Sequence, residues 1–194
     1  MIDYQLKDKV VLITGANHGT GAATAKAFAA QGTKVFVTYF RRPARYSENQ
    51  LKQARKDPTG GQLLYEAMQQ QTAEPLIHEI HSQGGVAFAY EADLADTKNV
   101  SLVFDLCEEK IGPVDILINN HTHAIPDTFD PAMKTFGDFD VHLTTAESID
   151  THFDINTRAY ALMMAEYLKR YLKRGATWGR IINLSTDAAH AHPM

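Results

Sequence analysis

"VVLITGANHGTGAATAKAFAA", residues 10–30, is the stretch of sequence that decides the fold. Its apolar start at residues 10–13 predicts a buried strand, and its alanine-rich end, from about residue 20 to 30, predicts a helix. The turn between them contains three glycines: Gly15, Gly19 and Gly21. Such a turn lets the backbone approach a diphosphate, which the positive end of the helix stabilises. The stretch therefore favours a dinucleotide site over its structural alternative, a glycine-rich turn without a ligand.

The rest of the chain alternates apolar runs with helical patterns, which predicts an α/β fold built on a parallel sheet. Further strands are predicted at residues 35–39, 86–90 and 114–118, and a last one within "GRIINLST", residues 179–186. Helices are predicted at residues 74–85, around 100–111, and from about 145 to 174. The fold expected is a Rossmann-type doubly wound parallel sheet with helices on both faces. A flavodoxin-like mononucleotide-binding protein also fits this alternation but does not fit the glycine spacing.

One segment departs from this alternation. Residues 43–72 are polar, rich in Gln, Lys and Arg, and broken by "DPTGG" at 57–61. We interpret them as a partly helical insertion within one dinucleotide-binding domain, residues 1–194, because a simple βα connection is short. A solvated helical excursion is the simpler interpretation, and a lid over a ligand or a subunit contact is the alternative.

Composition narrows the class of protein. The chain is 44% hydrophobic and 22% charged, with a net charge of −4, as expected for a soluble globular domain that does not bind nucleic acid. No apolar run approaches membrane-spanning length, so no membrane partner is expected. The single cysteine, Cys107, excludes an internal disulfide and fits a reducing cytoplasm. It falls on an apolar helix face, which predicts a core position.

Together, these motifs resemble the short-chain dehydrogenase/reductase family. Thr14 followed by Gly-x-x-x-Gly-x-Gly resembles the family's cofactor fingerprint, and Asp93-Leu94 resembles the pair that flanks the adenine ring. Asn119-Asn120 resembles the start of the Asn-Asn-Ala-Gly motif, although His121 and Thr122 replace its alanine and glycine. "FDINTRAYAL", residues 153–162, and "GRIINLST" resemble the helix and strand that carry catalytic residues.

The resemblance implies a nicotinamide dinucleotide as cofactor. Where members that prefer NAD usually carry an acidic residue, this chain has Tyr39, followed closely by Arg41 and Arg42. Two guanidinium groups favour a 2′-phosphate, so NADP is expected, with NAD as the alternative, unless the arginines simply begin a solvated insertion. The His18 side chain could add a further hydrogen-bond donor for this phosphate. The residues expected to bind the cofactor are Gly15, Asn17, His18, Gly19, Thr20, Gly21, Tyr39, Arg41, Arg42, Asp93, Leu94, Asn119, Asn120 and His121.

The resemblance also implies the reaction residues. In the family a tyrosine is the acid, a lysine four residues later lowers its pKa, a serine polarises the substrate oxygen, and a helix asparagine supports a proton path. Asn156 matches the asparagine, and Thr186 stands at the serine position, with Ser185 as the fallback. Since adjacent strand residues face opposite sides, only one hydroxyl is expected to reach the site.

The tyrosine–lysine pair is missing, because no tyrosine in these 194 residues has a lysine four positions later. We therefore expect the N-terminal part of a longer NADP-dependent reductase, its sheet incomplete at the C-terminal side, acting on a small-molecule ketone or secondary alcohol. The alternative is a non-catalytic dinucleotide-binding module, such as a pseudoenzyme or sensor.

Two further features carry predictions. Apolar residues from Ile149 to Leu172 form one wide stripe on the helix at about 145–174, and the resemblance implies a homo-oligomer contact there. The close pairs His121-x-His123 and His190-x-His192 are interpreted as polar loop residues, and no metal site is predicted. His121 or His123 could instead line the substrate pocket.

Overall fold

The structure is a computed structural model that describes residues 4–56, 59–136 and 139–186. The strands are β1 (Val10–Thr14), β2 (Lys34–Tyr39), β3 (Val86–Glu91), β4 (Ile116–Asn119), β5 (Asp127–Thr128), β6 (Thr135–Phe136), β7 (Phe139–Asp140), β8 (His142–Leu143) and β9 (Arg180–Asn183). The helices are α1 (Gly19–Ala30), α2 (Glu48–Lys56), α3 (Gly61–Gln69), α4 (Glu74–Ser82), α5 (Lys98–Ile111), α6 (Ala146–Phe153) and α7 (Tyr160–Lys173). A π-helical turn, Asp154–Ala159, joins α6 to α7.

Five of these strands form one parallel sheet in the order β3-β2-β1-β4-β9. The apolar strand β1 lies at its centre, where Leu12 pairs with Phe36 on one side and Leu117 on the other. The chain moves outward from β1 to β3 and then returns to the opposite side of β1 with β4. The carboxyl ends of β1 and β4 therefore form the switch point at which ligands bind in open α/β sheets.

Helices cover both faces of the sheet, as predicted. On one face, α5 and α7 pack Val103, Phe104 and Met163 against the sheet. On the other, α1 and α4 contribute Ala25 and Ile80. Alternate residues of β2 supply both layers, because successive side chains of a strand point to opposite faces. Cys107 belongs to the first layer, and burial raises the pKa of its thiol, so its predicted core position is confirmed.

The predicted insertion forms a pair of helices, α2 and α3. A small apolar cluster of its own, centred on Leu51, Ala54 and Ala67, holds the two helices together. The end of α3 lies beside the glycine turn, where the Asn17 side-chain amide donates to the carbonyl oxygens of Gln69 and Gln71 at 3.2 and 2.8 Å. The insertion is therefore docked beside the predicted ligand turn rather than extended into solvent.

The segment predicted as a loop between β4 and α6 contains four very short strands. β5 pairs with β8 in parallel, and β6 pairs with β7 in antiparallel fashion. Ladders of two residues are too short to produce the alternation that identifies a strand in a sequence. No helix within the described part of the chain is both long and apolar enough to cross a membrane.

The helix predicted from about residue 145 begins with α6 at Ala146, directly after its capping residue. Thr145 caps α6, accepting from the Ser148 amide at 3.1 Å while its own amide donates to the Ser148 hydroxyl at 3.0 Å. A serine thus takes the place that a glutamate often fills in a capping box.

The residues of the predicted apolar stripe along this helix differ in how deeply they are buried. Met163 and Tyr167 on α7 are buried, whereas Ile149 and Phe153 on α6 are 45% and 62% exposed. The π-helical turn between them contains more residues per turn than an α-helix, which rotates the face of α6 relative to that of α7. Met163 and Tyr167 on α7 therefore pack into the core, whereas Ile149 and Phe153 on α6 do not.

Candidate functional site

A cavity of about 250 Å³ opens at the carboxyl edge of the sheet, above the ends of β1 to β4. It brings together most of the predicted cofactor residues: Gly15, Asn17, His18, Gly19, Thr20, Gly21, Tyr39, Arg42, Asp93, Leu94, Asn120 and His121. Sequence reasoning did not assign to the cofactor the other lining residues: Thr38, Phe40, Tyr65, Gln69, Ala92, Thr122, His123 and Ile155. We call this space the cofactor cavity.

The glycine turn is shaped by two different constraints. A Cβ atom at Gly21 would lie 2.4 Å from the Gly15 carbonyl oxygen and 2.6 Å from the Asn120 side-chain nitrogen, so no larger residue fits. A Cβ at Gly19 would meet nothing within 4 Å, but Gly19 has φ +57°, which favours glycine. Gly21 therefore allows close backbone packing, and Gly19 leaves open space on the cavity side of the turn.

The N-terminus of α1 points its unpaired backbone donors at this space. The first amides of any α-helix have no partner within the helix. In the described chain, the His18 side chain does not cap them, and no acidic residue lies in the first turn. Since His18, Gly19, Thr20 and Gly21 all line the cavity, this positive helix end is available to an anion. Burial lowers the pKa of His18 and favours its neutral form.

The Thr14 hydroxyl joins β1 to the end of β4. It accepts from the backbone amides of Asn120 and His121 at 2.9 and 3.2 Å, and lies 2.7 Å from His121 Nδ1. His121 Nε2 is 3.1 Å from the Ile155 carbonyl oxygen, which can only accept, so Nε2 carries the hydrogen and Thr14 donates to Nδ1. Burial lowers the pKa of His121 to about 4, consistent with this neutral form.

Asn120 also closes the glycine turn. Its side-chain amide donates to the Gly15 carbonyl oxygen at 2.7 Å. Its neighbour Asn119 lies outside the cavity, although it was predicted to bind the cofactor. Asn119 is fully buried in β4 and donates to the Asn183 side-chain oxygen on β9 at 2.9 Å, so it joins two strands. The two asparagines differ because successive strand residues point in opposite directions.

The two arginines after β2 have different partners. Arg41, predicted to bind the cofactor, lies outside the cavity, where its Nε and Nη2 donate to the Glu91 carboxylate at 2.7 to 3.1 Å. This pairing holds the pKa of Glu91 below its usual range. Arg42 lines the cavity, and its Nη1 lies 2.7 Å from His123 Nδ1. Arg41 therefore neutralises a nearby carboxylate, whereas Arg42 meets an uncharged partner.

A second cavity lies on the other side of Asn120, beside the end of β9. It encloses about 520 Å³ and is lined by Asn120, Thr122, Asn156, Tyr160, Asn183, Leu184, Ser185 and Thr186. All three predicted reaction residues thus meet in one place. Both hydroxyl residues line it, because β9 ends at Asn183 and strand alternation does not extend to Ser185 and Thr186. We call this space the reaction cavity.

Asn156 holds the loop that separates the two cavities. Its side-chain oxygen accepts from the His123 amide at 2.8 Å and from the Thr122 hydroxyl at 3.3 Å, and its nitrogen donates to the His123 carbonyl oxygen at 2.9 Å. This side chain arises from the π-helical turn, a feature often found at functional sites.

Tyr160 is a reaction-cavity residue that sequence reasoning did not assign, although it follows Asn156 by one helical turn. Its hydroxyl donates to the His121 carbonyl oxygen at 2.8 Å, and its ring centroid lies 4.4 Å from that of His121. Burial raises the pKa of Tyr160 to about 12. This tyrosine therefore positions the loop rather than acting as an acid near neutral pH.

Among the described residues, no three His, Cys, Asp or Glu side chains come together in a group that could hold a metal ion. His121 and His123 line the cofactor cavity instead. His190 and His192 lie outside the described residues.

Comparison with known proteins identifies relatives along nearly the whole chain. A family model described as short chain dehydrogenase matches residues 9–63 and 59–193, two segments that meet inside the insertion. A versicolorin reductase from Emericella nidulans is 30% identical over 187 residues, which is 96% of this chain and 54% of that protein. A short-chain dehydrogenase from Burkholderia cenocepacia J2315, solved in complex with NADP, superposes with a TM-score of 0.67 at 26% identity, covering 97% of this chain and 60% of that one.

The fold thus defines a Rossmann-type α/β protein, with a cavity at the switch point of the sheet. Because the family model covers nearly all of it, the chain belongs to the short-chain dehydrogenase family. It spans about half the length of the curated relatives that it matches, between 54 and 58%.

Proposed function

We propose that this chain is the cofactor-binding part of an NADP-dependent oxidoreductase that interconverts a ketone and a secondary alcohol. The observation that carries the proposal is the uncapped N-terminus of α1, which opens into a cavity that also holds the Arg42 guanidinium. One cavity thus offers a helix end for a diphosphate and a separate cation for a further phosphate. When bound, the cofactor supplies or accepts the hydride.

The cavity also fits the rest of a dinucleotide. Thr38, buried at the end of β2, has a hydroxyl oxygen without a hydrogen-bond partner among the described residues, and a bound nucleotide could satisfy it. The open space at Gly19 admits a diphosphate close to the backbone. Asp93 and Leu94 line the far side, where the family resemblance puts the adenine ring.

We assign the NADP preference to Arg42 rather than to Arg41. The Arg41 charge is compensated by Glu91, whereas Arg42 has a neutral partner and retains its charge for a 2′-phosphate. The NADP bound in the Burkholderia cenocepacia relative is consistent with this assignment. NAD is the alternative cofactor.

On the reaction side, we propose that Ser185 or Thr186 polarises the substrate carbonyl and that Asn156 orients the neighbouring loop. Their shared cavity supports both roles. The family's acidic tyrosine has no counterpart in this sequence, and Tyr160 cannot replace it, because its hydroxyl is engaged and its pKa is raised to about 12. The second candidate function, which the sequence analysis left open, is a dinucleotide-binding module without catalysis.

Cofactor titration tests the binding proposal. We expect the full chain to bind NADP more tightly than NAD in calorimetry. Arg42→Ala should weaken NADP binding about 10- to 100-fold, the loss expected for one charge-assisted contact, and leave NAD binding nearly unchanged. The matched variant Arg41→Ala should have a smaller effect. Tighter binding of NAD by the unmodified chain would contradict the proposed preference.

Turnover separates the two candidate functions. NADPH oxidation should be followed spectroscopically with a panel of small ketones, after cofactor binding has been verified on the same sample. Turnover that depends on Thr186 or Ser185 supports the reductase. Tight NADP binding without turnover of any ketone, measured on the whole natural protein, supports the non-catalytic module.

Assembly and location are also proposals. Ile149, Phe153, Leu168 and Leu172 leave apolar surface exposed on α6 and α7, which supports the expected homo-oligomer contact. Light scattering of the protein and of Leu172→Glu tests it, since the charged variant should dissociate. The single dinucleotide-binding domain over residues 1–194 and the reducing, cytoplasmic location, which the one cysteine suggested, stay predictions.

A further inference from the structure

We propose that His123 is a positioning residue for cofactor choice: it holds the Arg42 guanidinium at the cofactor cavity, ready for a 2′-phosphate. The inference rests on the proposed NADP-dependent function and adds a specificity-determining residue to it. The position of His123, three residues beyond Asn120 in the chain, gives no indication of such a role, and only the folded structure brings it next to Arg42.

The contact has a definite polarity. Arg42 Nη1 lies 2.7 Å from His123 Nδ1, and His123 is only 7% exposed. A guanidinium can only donate, so Nδ1 accepts and the imidazole is neutral in this arrangement. One of the five N–H donors of Arg42 is used in this way, and the others stay available to an anion.

A neutral partner has an advantage that a carboxylate lacks. Arg41 illustrates the alternative, because Glu91 occupies its donors and compensates its charge. A carboxylate in the place of His123 would orient Arg42 equally well, but it would also repel a 2′-phosphate. A neutral imidazole orients the guanidinium and leaves its positive charge uncompensated.

Arg42 is held at both ends. The Gln70 side-chain amide, just beyond α3, donates to the Arg42 carbonyl oxygen, while His123 binds the guanidinium. The insertion thus fixes the main chain of Arg42, and the loop after β4 fixes its side chain. A long side chain that is already ordered loses less conformational entropy when it binds a ligand, so preorganisation increases affinity.

His123 itself is firmly placed. Its backbone amide and carbonyl both bind the Asn156 side chain, at 2.8 and 2.9 Å. Its ring packs edge-on against His152, with centroids 4.5 Å apart. Burial, Arg42 and His152 together lower the pKa of His123 to about 4, while Asp127 acts in the opposite direction. The acceptor is therefore present throughout the neutral range.

Three substitutions isolate the accepting atom. An asparagine side chain can put an acceptor near the position of Nδ1, a glutamine reaches instead toward the position of Nε2, and a leucine offers no acceptor. We expect His123→Leu to lose about 10-fold in NADP affinity, the loss typical of one buried hydrogen bond, with NAD affinity changed less than about 2-fold. His123→Asn should recover most of the NADP affinity, and His123→Gln should recover little.

The experiment is calorimetric titration of the full chain with 2′,5′-ADP and 5′-AMP, which differ only in the 2′-phosphate. The proposal expects discrimination to fall in His123→Leu, to return in His123→Asn, and to fall no further when His123→Leu is added to Arg42→Ala. Equal affinities of the unmodified chain for both probes would overturn the proposed NADP preference, and this inference with it.

If the unmodified chain discriminates between 2′,5′-ADP and 5′-AMP and His123→Leu discriminates equally well, the role of His123 is overturned. The proposed NADP preference would still stand. If His123→Leu does not fold in thermal melts, the Asn and Gln variants decide the matter. If His123→Asn and His123→Gln both discriminate between the two probes as well as the unmodified chain does, the role of the Nδ1 acceptor is overturned.

Discussion

The cofactor cavity and the reaction cavity both lie at the carboxyl edge of the sheet, but they differ in how deeply their lining residues are buried. Thr38, His121 and His123 in the cofactor cavity are almost fully buried, and hydrogen bonds connect its walls to one another. In the reaction cavity, Asn183, Ser185 and Thr186 are exposed. Within the described residues, the cofactor side therefore rests on buried, hydrogen-bonded side chains, whereas the reaction residues are exposed.

The largest effect should come from the glycine turn, and it tests whether the cofactor cavity is as rigid as its contacts suggest. Gly21→Ala places a methyl group 2.4 Å from the Gly15 carbonyl oxygen, so the backbone must move. We expect more than about 100-fold weaker NADP binding, and a loss of about 1–3 kcal/mol in the free energy of unfolding. Calorimetric titration and urea denaturation measure the two quantities.

Gly19→Ala is the matched control, because its Cβ has open space and only the positive φ makes the residue unfavourable. It should cost about 1 kcal/mol of stability. Equal losses in both variants would indicate that the turn adapts, and that the cofactor cavity is less rigid than its contacts suggest.

Acid should affect the framework of the cofactor cavity through His121. Its pKa is about 4 in the folded state against 6.5 in a model peptide, so the unfolded state binds more protons between these values. The free energy of unfolding should therefore decrease as the pH falls from 6.5 to 4, by up to about 3 kcal/mol from this residue. His123 acts in the same direction.

Urea denaturation at pH 7 and pH 5 measures this dependence. His121→Asn removes the titrating ring and should make the dependence shallower. If the stability of His121→Asn depends on pH as steeply as that of the unmodified chain, His121 is not held neutral. The hydrogen bonds of His121 to Thr14 and Ile155 would then be weaker than their distances imply.

The smallest effect is expected in the reaction cavity. Ser185→Ala and Thr186→Val remove hydroxyl groups from an exposed edge, so NADP affinity should change less than about 2-fold and stability by less than about 0.5 kcal/mol. Calorimetric titration and urea denaturation measure the two values. A 10-fold loss of NADP affinity would remove the distinction between the two cavities.

The parts of the fold that sequence could predict are those with a strong local pattern. The apolar run of β1, the glycines and the alanine-rich helix specify a strand–turn–helix unit without reference to distant residues. The parallel sheet follows from the alternation of strands and helices, and the cofactor cavity follows from its switch point.

The parts that could not be predicted depend on distant partners. Arg41 and Arg42 are adjacent, and only the pairing of β2 with β3 reveals that Glu91 binds the first and leaves the second free to face the cavity. His123 likewise meets Arg42 across 81 positions of sequence. Side-chain choices of this kind are decided by tertiary structure, which periodicity does not encode.

The π-helical turn has a consequence for anyone who alters this protein. Substitutions on α6 change a surface that is out of phase with the buried face of α7, so the two helices can be redesigned independently. A deletion of one residue between Asn156 and α7 would change the phase of Asn156 relative to α7 and turn its side chain away from His123.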